Sequence, residues 1–444
     1  MKLADVCEQL VKLARKAGAA EAEAYAERTR DSSVRVRGGE VEELHQASSK
    51  GVGLRVIIGK RLGFAYGTDF SKDGLRALAG RAVALSKGAA RDEANALPTK
   101  PGVGAVAGEF DPAIEAISPE WKLQAARAAE RGARAEDARV RKFDSTGAGD
   151  FLSQSAIASS RGAYGESRAS YAYVYCSPVA EADGQLQTAS WSDTRRSLRR
   201  LQDPEEVGRV AARRAARMLG ARKPKTVRAP VVFDPQMAAG FIDGLAGAVN
   251  GLLVHKKSSF LGALKGKRIA PEHFTLVDDA TLAYGIATRP FDGEGVTSQK
   301  TLIIENGILR NFLYDATTAR KARAQSTASA SRSWASLPGI GTSNFYLQPG
   351  ASRADEIIKG VRSGLYVTAM LGRGADVVTG DYSRGANGIW IENGELAYPV
   401  QEVTVSGNLL EMLKGIDAVG DDLDFRSSTA APTLRFAELV VSGA

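Results

Sequence analysis

Cysteine and histidine are scarce in this chain, which has two cysteines and three histidines among 444 residues. Cys7 and Cys176 lie far apart and form no C-x-x-C pair, so a disulfide framework is excluded as the basis of the fold. His45, His255 and His273 are isolated from one another, so the sequence contains no His-Glu-x-x-His zinc motif. A zinc site would need ligands from scattered segments to converge.

Long hydrophobic runs are also missing, and none reaches the length of about 18 residues that suggests a membrane-spanning helix. The nearest candidate, from Gly240 to Val254, contains Asp243 and four glycines. The N-terminal stretch has charges every few residues and no apolar core of the kind that a secretory signal has. With so few cysteines, these features predict a cytoplasmic protein.

Three common signatures of cofactor binding or catalysis are absent as well. The glycine-rich stretch 244–251 lacks the Gly-Lys-Ser/Thr of a phosphate-binding loop, and it has no dinucleotide-binding spacing after a strand. No G-x-S-x-G nucleophile elbow occurs anywhere in the sequence. The sequence therefore predicts no cofactor in this chain and points to no catalytic residue of its own.

The charge balance is basic, with a formal net charge of +8. The basic residues are dispersed along the chain and do not gather into one patch with aromatic side chains, which is the arrangement typical of nucleic-acid binding. Nucleic acid is therefore an unfavoured partner.

What is present predicts an α+β fold of two domains, with largely antiparallel sheets flanked by helices. Apolar residues recur at helical spacing from Leu3 to Ala17, and short alternating strands follow. Asn306–Gly307 and Asn393–Gly394 are strong signals for tight hairpin turns. A short basic segment broken by prolines, 220–230, suggests a boundary between an N-terminal domain, 1–222, and a C-terminal, strand-rich domain, 223–444.

The polar stretch TGDYSRGANG, 379–388, is the first candidate site, and its flanking runs predict a loop between strands. Asp381, Tyr382, Ser383 and Arg384 are its candidate substrate-binding residues. Arg384 offers several donors to a carboxylate or to peptide carbonyls, and Asp381 is placed to hold it by a charge-assisted bond. A structural brace between these two charges is the alternative interpretation.

Asp292 and Glu294 form a second candidate site, on either side of Gly293. They could bind substrate, hold a cation or act as a base. The simpler interpretation is that they cap a glycine turn, because Asp and Gly together are common turn chemistry.

Several stretches of the chain resemble the TldD/PmbA family, whose members are also described as modulators of DNA gyrase. The resemblance covers most of the chain, is weakest between about 90 and 225, and is nearest to the PmbA branch, which is also called TldE. The stretches that carry it are GGEVEELHQASSKGVGLRVIIGKRLGFAYGTD, RPFDGEGV, LIIENGILRNFLYD, GLYVTAMLG, TGDYSRGANGIWIENGELAYPVQEVTVSGNLLEML and ELVVSG.

The resemblance implies a two-subunit metalloprotease in which the TldD branch carries a zinc-binding His-Glu-x-x-x-His helix and a late cysteine ligand. The corresponding helix here, 237–251, has no histidine or glutamate, and the C-terminal FRSSTAAPTL has no cysteine. No zinc ligand can therefore be assigned to this chain. Two further departures from the family pattern are Gly293, where an acid is usual, and STASASR, 326–332.

The function implied is that of the subunit that binds no zinc, encloses a cavity and helps to bind unfolded peptides for proteolysis. Its partner would be a TldD-type, zinc-bearing subunit in a heterodimer, or a second copy in a homodimer. A stand-alone binding or regulatory module, for nucleic acid or gyrase, is the alternative. A second alternative is a hydrolase that acts independently of a partner and uses Asp292 and Glu294.

Overall fold

The computed structural model describes residues 1–99, 101–372 and 374–443, and it confirms the α+β class, with largely antiparallel sheets flanked by helices. Helices in the described residues are α1 Leu3–Lys16, α2 Lys72–Gly88, α3 Pro112–Glu115, α4 Pro119–Glu136, α5 Pro204–Ala216, α6 Pro235–Asp243, α7 Gly251–His255, α8 Ala316–Ala322, α9 Ala354–Lys359 and α10 Leu409–Lys414, with a 3-10 turn at Leu198–Arg200.

The strands occur in groups that are separated by these helices along the chain. They are β1 Glu21–Arg37, β2 Glu40–Ile58, β3 Arg61–Gly67, β4 Val140–Ser159, β5 Tyr164–Ala182, β6 Gln185–Thr188, β7 Trp191–Arg195, β8 Val227–Phe233, β9 Leu276–Asp279, β10 Lys300–Glu305, β11 Ile308–Leu309, β12 Ala330–Ser331, β13 Gly339–Ile340, β14 Phe345–Leu347, β15 Ser363–Leu371, β16 Asp381–Glu392, β17 Glu395–Asn408, β18 Ile416–Val419, β19 Thr429–Ala430 and β20 Leu434–Ser442.

The first seven strands form one sheet in the order β3-β2-β1-β4-β5-β6, with β7 also paired to β5. Helices α1 and α2 bury their apolar faces against one part of this sheet, and α4 and α5 cover another part. Helices α4 and α5 approach each other very closely. A Cβ atom on Gly208 of α5 would overlap the backbone carbonyl of Ala129 of α4. Glycine at this position is therefore required by packing.

The later strands form a six-stranded sheet, β17-β16-β15-β8-β20-β18, in which β17 also pairs with β20. A five-stranded sheet, β11-β10-β9-β14-β19, lies beside it, and both sheets share one large core with α6. The strands of the first sheet end at Arg195 and those of the later sheets begin at Val227. The division into domains 1–222 and 223–444 stays a prediction.

The hairpin signals in the sequence form the expected turns. Asn306 and Gly307 have φ values of 48° and 78° between β10 and β11. Asn393 and Gly394, with φ values of 50° and 82°, join β16 to β17. Both turn positions therefore adopt the left-handed conformation that such residues tolerate.

Two expectations from the sequence are wrong. The helix expected over 237–251 ends at Asp243, and turns separate α6 from the short α7, which Asn250 caps. Four glycines weaken helix formation over this stretch, which explains the break. The loop expected at 379–388 is also wrong, because β16 begins at Asp381 and pairs with β15 and β17.

No helix in the described parts of the chain combines the length and the apolar character needed to cross a membrane.

Candidate functional site

The polar residues at the start of β16 alternate between the two faces of the sheet. Asp381 and Ser383 are exposed, whereas Tyr382 is buried, as expected for successive residues of a strand. Asp381 accepts a hydrogen bond from the Thr379 hydroxyl at 2.9 Å. Because residues three apart in a strand point to opposite faces, Asp381 does not hold Arg384, and the expected pairing of these two charges is wrong.

Tyr382 and Arg384 lie on the face that turns toward α6. The Tyr382 ring packs edge-on against Phe241 at 6.1 Å between centroids, and its hydroxyl donates to the Met370 sulfur at 3.1 Å. Burial raises the pKa of Tyr382 to about 12. Arg384 is partly buried, and its Nη1 would lie 3.7 Å from a Cβ placed on Gly240 of α6. Tyr382 is therefore a core residue, while Arg384 reaches the neighbouring helix.

Asp292 and Glu294 are both buried, in the turn that precedes β10. Asp292 Oδ1 accepts from the backbone N–H groups of Glu294 and Val296, each at 2.9 Å, and Oδ2 accepts from Ala330 at 3.1 Å. Asp292 therefore holds the glycine turn and links it to β12. Burial, together with the charge of Glu294, raises the pKa of Asp292 to about 7.

Glu294 belongs to a buried network of charges that joins the first sheet to the later part of the chain. Arg55 on β2 donates to Glu294 and to Glu23 on β1, at 2.8 Å in each case. Arg332, which follows β12, donates to the other oxygen of Glu23 at 2.6 Å. All four side chains are at most 4% exposed. No motif in the sequence indicates that Glu23, Arg55 and Arg332 meet here.

Gly293 and the stretch STASASR, 326–332, meet beside this network. Gly293 donates its backbone N–H to the carbonyl of Ala330 at 2.8 Å, and Arg332 lies against it. A Cβ on Gly293 would lie 3.1 Å from Cγ of Arg332. A larger residue at 293 would therefore crowd the Arg332 side chain.

A cavity of about 640 Å³ lies where the two halves of the chain meet. One face of α6 forms a wall, with Pro235, Gln236, Ala239, Gly240 and Asp243. The other walls come from the start of β7 and from the segment around β19, and they include Trp191, Ser192, Asp422, Asp424, Arg426, Ser427, Ser428, Thr429, Ala430 and Ala431.

Arg426 and Trp191 lie together in this cavity. The Arg426 guanidinium sits 4.0 Å from the centre of the Trp191 ring, and its Nε donates to Asp424 at 2.8 Å. Nη1 of Arg426 is buried and has no hydrogen-bond partner among the described residues. The cavity thus offers an aromatic surface beside a donor that has no acceptor.

The three carboxylates of the cavity each have hydrogen-bond or ion-pair partners. Asp243 accepts from the Thr429 hydroxyl at 3.1 Å, and Asp422 accepts from the backbone and hydroxyl of Thr433. Asp424 is held by Arg195 and Arg426. In residues 1–99, 101–372 and 374–443, no three His, Cys, Asp or Glu side chains converge as a metal site. These residues do not fit a zinc ion.

Comparison with known proteins decides the family. Models described as PmbA/TldA metallopeptidase domain 1, central domain and C-terminal domain match residues 22–86, 112–219 and 226–443. The metalloprotease PmbA of Escherichia coli is 32% identical over 95% of this chain and 92% of its own length. The chain belongs to the PmbA/TldD metallopeptidase family.

Three further proteins are similar to this chain. The PmbA homologue of Haemophilus influenzae is 32% identical over 98% of this chain and 94% of its own length. A Thermotoga maritima protein described as a candidate modulator of a DNA gyrase superposes with a TM-score of 0.90 at 25% identity, covering 98% of this chain and 99% of that one. TldE from Thermococcus kodakarensis has the same fold, with a TM-score of 0.91 at 23% identity over 98% of this chain and 99% of that one.

The cavity beside α6 could not be predicted from the sequence, because its walls come from three distant segments of the chain. The resemblance to the PmbA/TldD family did single out two of them, the helix that begins near 237 and the stretch FRSSTAAPTL. The structure places these two segments on either side of one cavity. The third, at Trp191, carried no signal beyond a single aromatic residue.

Proposed function

We propose that this chain is the subunit of a TldD/TldE-type peptidase that binds no zinc and helps to bind unfolded peptides. The observation that carries the proposal is the cavity between α6 and the β19 segment. Its counterpart in the TldD branch, according to the family resemblance, is the site of the zinc-binding helix and the late cysteine. Here the helix presents Gln236, Ala239 and Gly240 to the cavity in place of metal ligands.

The cavity has the properties that an extended peptide needs. The Nη1 donor of Arg426 suits a peptide carbonyl, and the Trp191 ring provides an apolar surface beside it. A volume of about 640 Å³ accommodates a peptide side chain with its adjoining backbone. Peptide recognition of this kind combines main-chain hydrogen bonds with pockets for individual side chains.

A partner subunit supplies the chemistry that this chain lacks. A TldD-type, zinc-bearing chain would bring the metal that polarises the scissile carbonyl and activates water. On this proposal the partner forms a heterodimer with this chain, and the alternative assembly is a homodimer. Asp381 and Ser383, on the exposed face of β16, are candidates for contacts with the partner or with substrate.

The experiment is to fill the cavity from its α6 wall. Ala239→Phe places a ring in the cavity from the partly exposed face of α6, and Ala135→Phe on the exposed face of α4 is the matched control. Binding of a labelled unfolded peptide to the assembled complex is measured by fluorescence anisotropy. We expect about a tenfold loss of affinity for Ala239→Phe alone. Unchanged affinity in both variants, with the complex intact, would show that peptides bind elsewhere.

A further inference from the structure

A second, smaller cavity of about 230 Å³ lies under the turn that holds Asp292. Strands β1, β4 and β5 form one side, through Tyr25, Ser153 and Ser167. The other side comes from the segments 287–293 and 330–332. The cavity is thus enclosed by both halves of the chain and is separate from the one beside α6.

Three guanidinium groups line this cavity, from Arg196, Arg289 and Arg332, against one carboxylate, that of Asp292. Asp292 directs both of its oxygens to backbone N–H groups, as described above, so it accepts no hydrogen bond from these arginines in the structure. The residues that line the cavity therefore carry more positive than negative charge, although Arg332 is also paired with Glu23, which lies outside the lining.

Arg196 and Arg289 form no ion pair with a carboxylate in the part of the chain that the structure describes. Arg196 is 5% exposed and donates to the backbone carbonyls of Glu109, Ile286 and Thr288. Burial lowers the pKa of Arg196 to about 10. Arg289 makes a long contact of 3.4 Å to the carbonyl of Ala328, and its buried Nε has no partner among the described residues.

The guanidinium of Arg332 brings further N–H donors to the cavity. Its side chain is 0% exposed, and Nη1 is bound to Glu23. Nε and Nη2 are both buried and have no acceptor among the described residues. A buried donor without an acceptor is unfavourable, so an acceptor that enters the cavity would gain the full benefit of these N–H groups.

We propose that this cavity binds a small oxyanion, a carboxylate or a phosphate group. Guanidinium groups present paired N–H donors that match the oxygens of both anions. Charge-assisted hydrogen bonds of this kind are stronger than hydrogen bonds between neutral groups. The hydroxyl groups of Ser153, Ser155 and Ser331 lie around the same space and can donate to further oxygens, whereas the Ser167 hydroxyl donates to Glu109. Tyr25 and Phe291 provide an apolar wall for the remainder of a small ligand. This site is independent of the peptide-binding role proposed above.

The test measures binding of inorganic phosphate and of acetate to the full chain by isothermal titration calorimetry at constant ionic strength. Chloride serves as the reference anion. We expect one saturable site per chain for at least one of the two oxyanions. Saturation by phosphate alone identifies a phosphate ligand, and saturation by acetate alone identifies a carboxylate ligand.

Two variants link binding to the cavity. Arg289→Gln removes a guanidinium that has no carboxylate partner and should weaken binding about tenfold. Gly293→Asp places a carboxylate beside Arg332 and should abolish binding, since it occupies the space of the ligand. Arg76→Gln, on the exposed surface of α2, is the control and should bind as the wild type does.

Two results would overturn the proposal. One is the absence of a saturable signal beyond that of chloride for both oxyanions. The other is equal affinity in Arg289→Gln, Gly293→Asp and the control, because binding would then occur outside this cavity. Thermal unfolding of each variant shows whether its fold is intact.

Discussion

Nη1 of Arg55 donates to Oε1 of Glu294 over 2.8 Å, and both side chains are almost completely buried. This bond joins strand β2 of the first sheet to the turn before β10, which is more than half the chain away in sequence. Both carboxylates of the second candidate site thus have partners within the fold: Glu294 is bonded to Arg55, and Asp292 to backbone N–H groups.

The first prediction concerns this buried pair. Glu294→Ala leaves Arg55 with one of its two carboxylates and strands the backbone N–H of Ala316, so it should cost about 3–5 kcal/mol of unfolding free energy. Glu305→Ala removes an exposed partner of Arg310 and should cost about 1 kcal/mol or less. Urea unfolding of both variants provides the measurement. Equally small losses would show that the buried pair does not brace the structure.

The second prediction concerns Arg384. No carboxylate in the described residues pairs with it, and its Nε is buried without a partner. Arg384→Ala should therefore change the unfolding free energy of the isolated chain by only about 1 kcal/mol. If Arg384 serves the assembled peptidase through its position beside α6, peptide cleavage by the complex should fall. A large loss of stability with full activity at low temperature would make the residue structural.

A third prediction follows from the positions of Asp381 and Arg384 on opposite faces of β16. A double-mutant cycle with Asp381→Ala and Arg384→Ala should be additive within about 0.5 kcal/mol. Thermal and urea unfolding of the two single variants and the double variant measure the coupling. A coupling well above that value would mean that the two charges interact after all.

The fourth prediction is a pH dependence. Because the pKa of Asp292 is raised from 3.8 to about 7 on folding, the folded state binds the proton more tightly than the unfolded state does. This contribution to stability is complete below pH 4 and is lost as the pH rises toward 7. Asp278, whose pKa burial raises to about 6, acts in the same direction.

The measurement compares wild type with Asp292→Asn, which does not titrate in this range. Unfolding free energy should fall less between pH 4 and pH 7 in the variant than in the wild type. The asparagine cannot accept every backbone N–H that Asp292 accepts, and this adds a cost that is the same at each pH. A slope in the variant as steep as that of the wild type would contradict the raised pKa.

Local chemistry made parts of the fold predictable from the sequence. The turns at Asn306–Gly307 and Asn393–Gly394 need positive φ at both positions, and few residues other than asparagine and glycine supply it. Helix α1 was predictable because its apolar residues recur with the helical period. The α+β class could be predicted from such turns and helices, because the conformation of each depends mainly on residues that are neighbours in the sequence.

Long-range contacts could not be predicted in the same way. Polar side chains in 379–388 suggested a loop, but pairing with β15 and β17 stabilises a strand there. Which side chains of that strand are buried depends on its register, and the sequence alone did not show that Tyr382 faces Phe241. The bonds among Glu23, Arg55, Glu294 and Arg332 depend on tertiary packing in the same way.

In the proposed function, this chain helps to bind the peptide while a partner supplies the zinc. The most direct measurement is cleavage of an unfolded peptide by three samples: this chain alone, a TldD-type partner alone, and the two mixed in equal amounts. Each sample is assayed with and without a zinc chelator. We expect efficient cleavage only in the mixture, and its loss when the chelator is added. Chelator-sensitive cleavage by this chain alone, after rigorous purification, would contradict it.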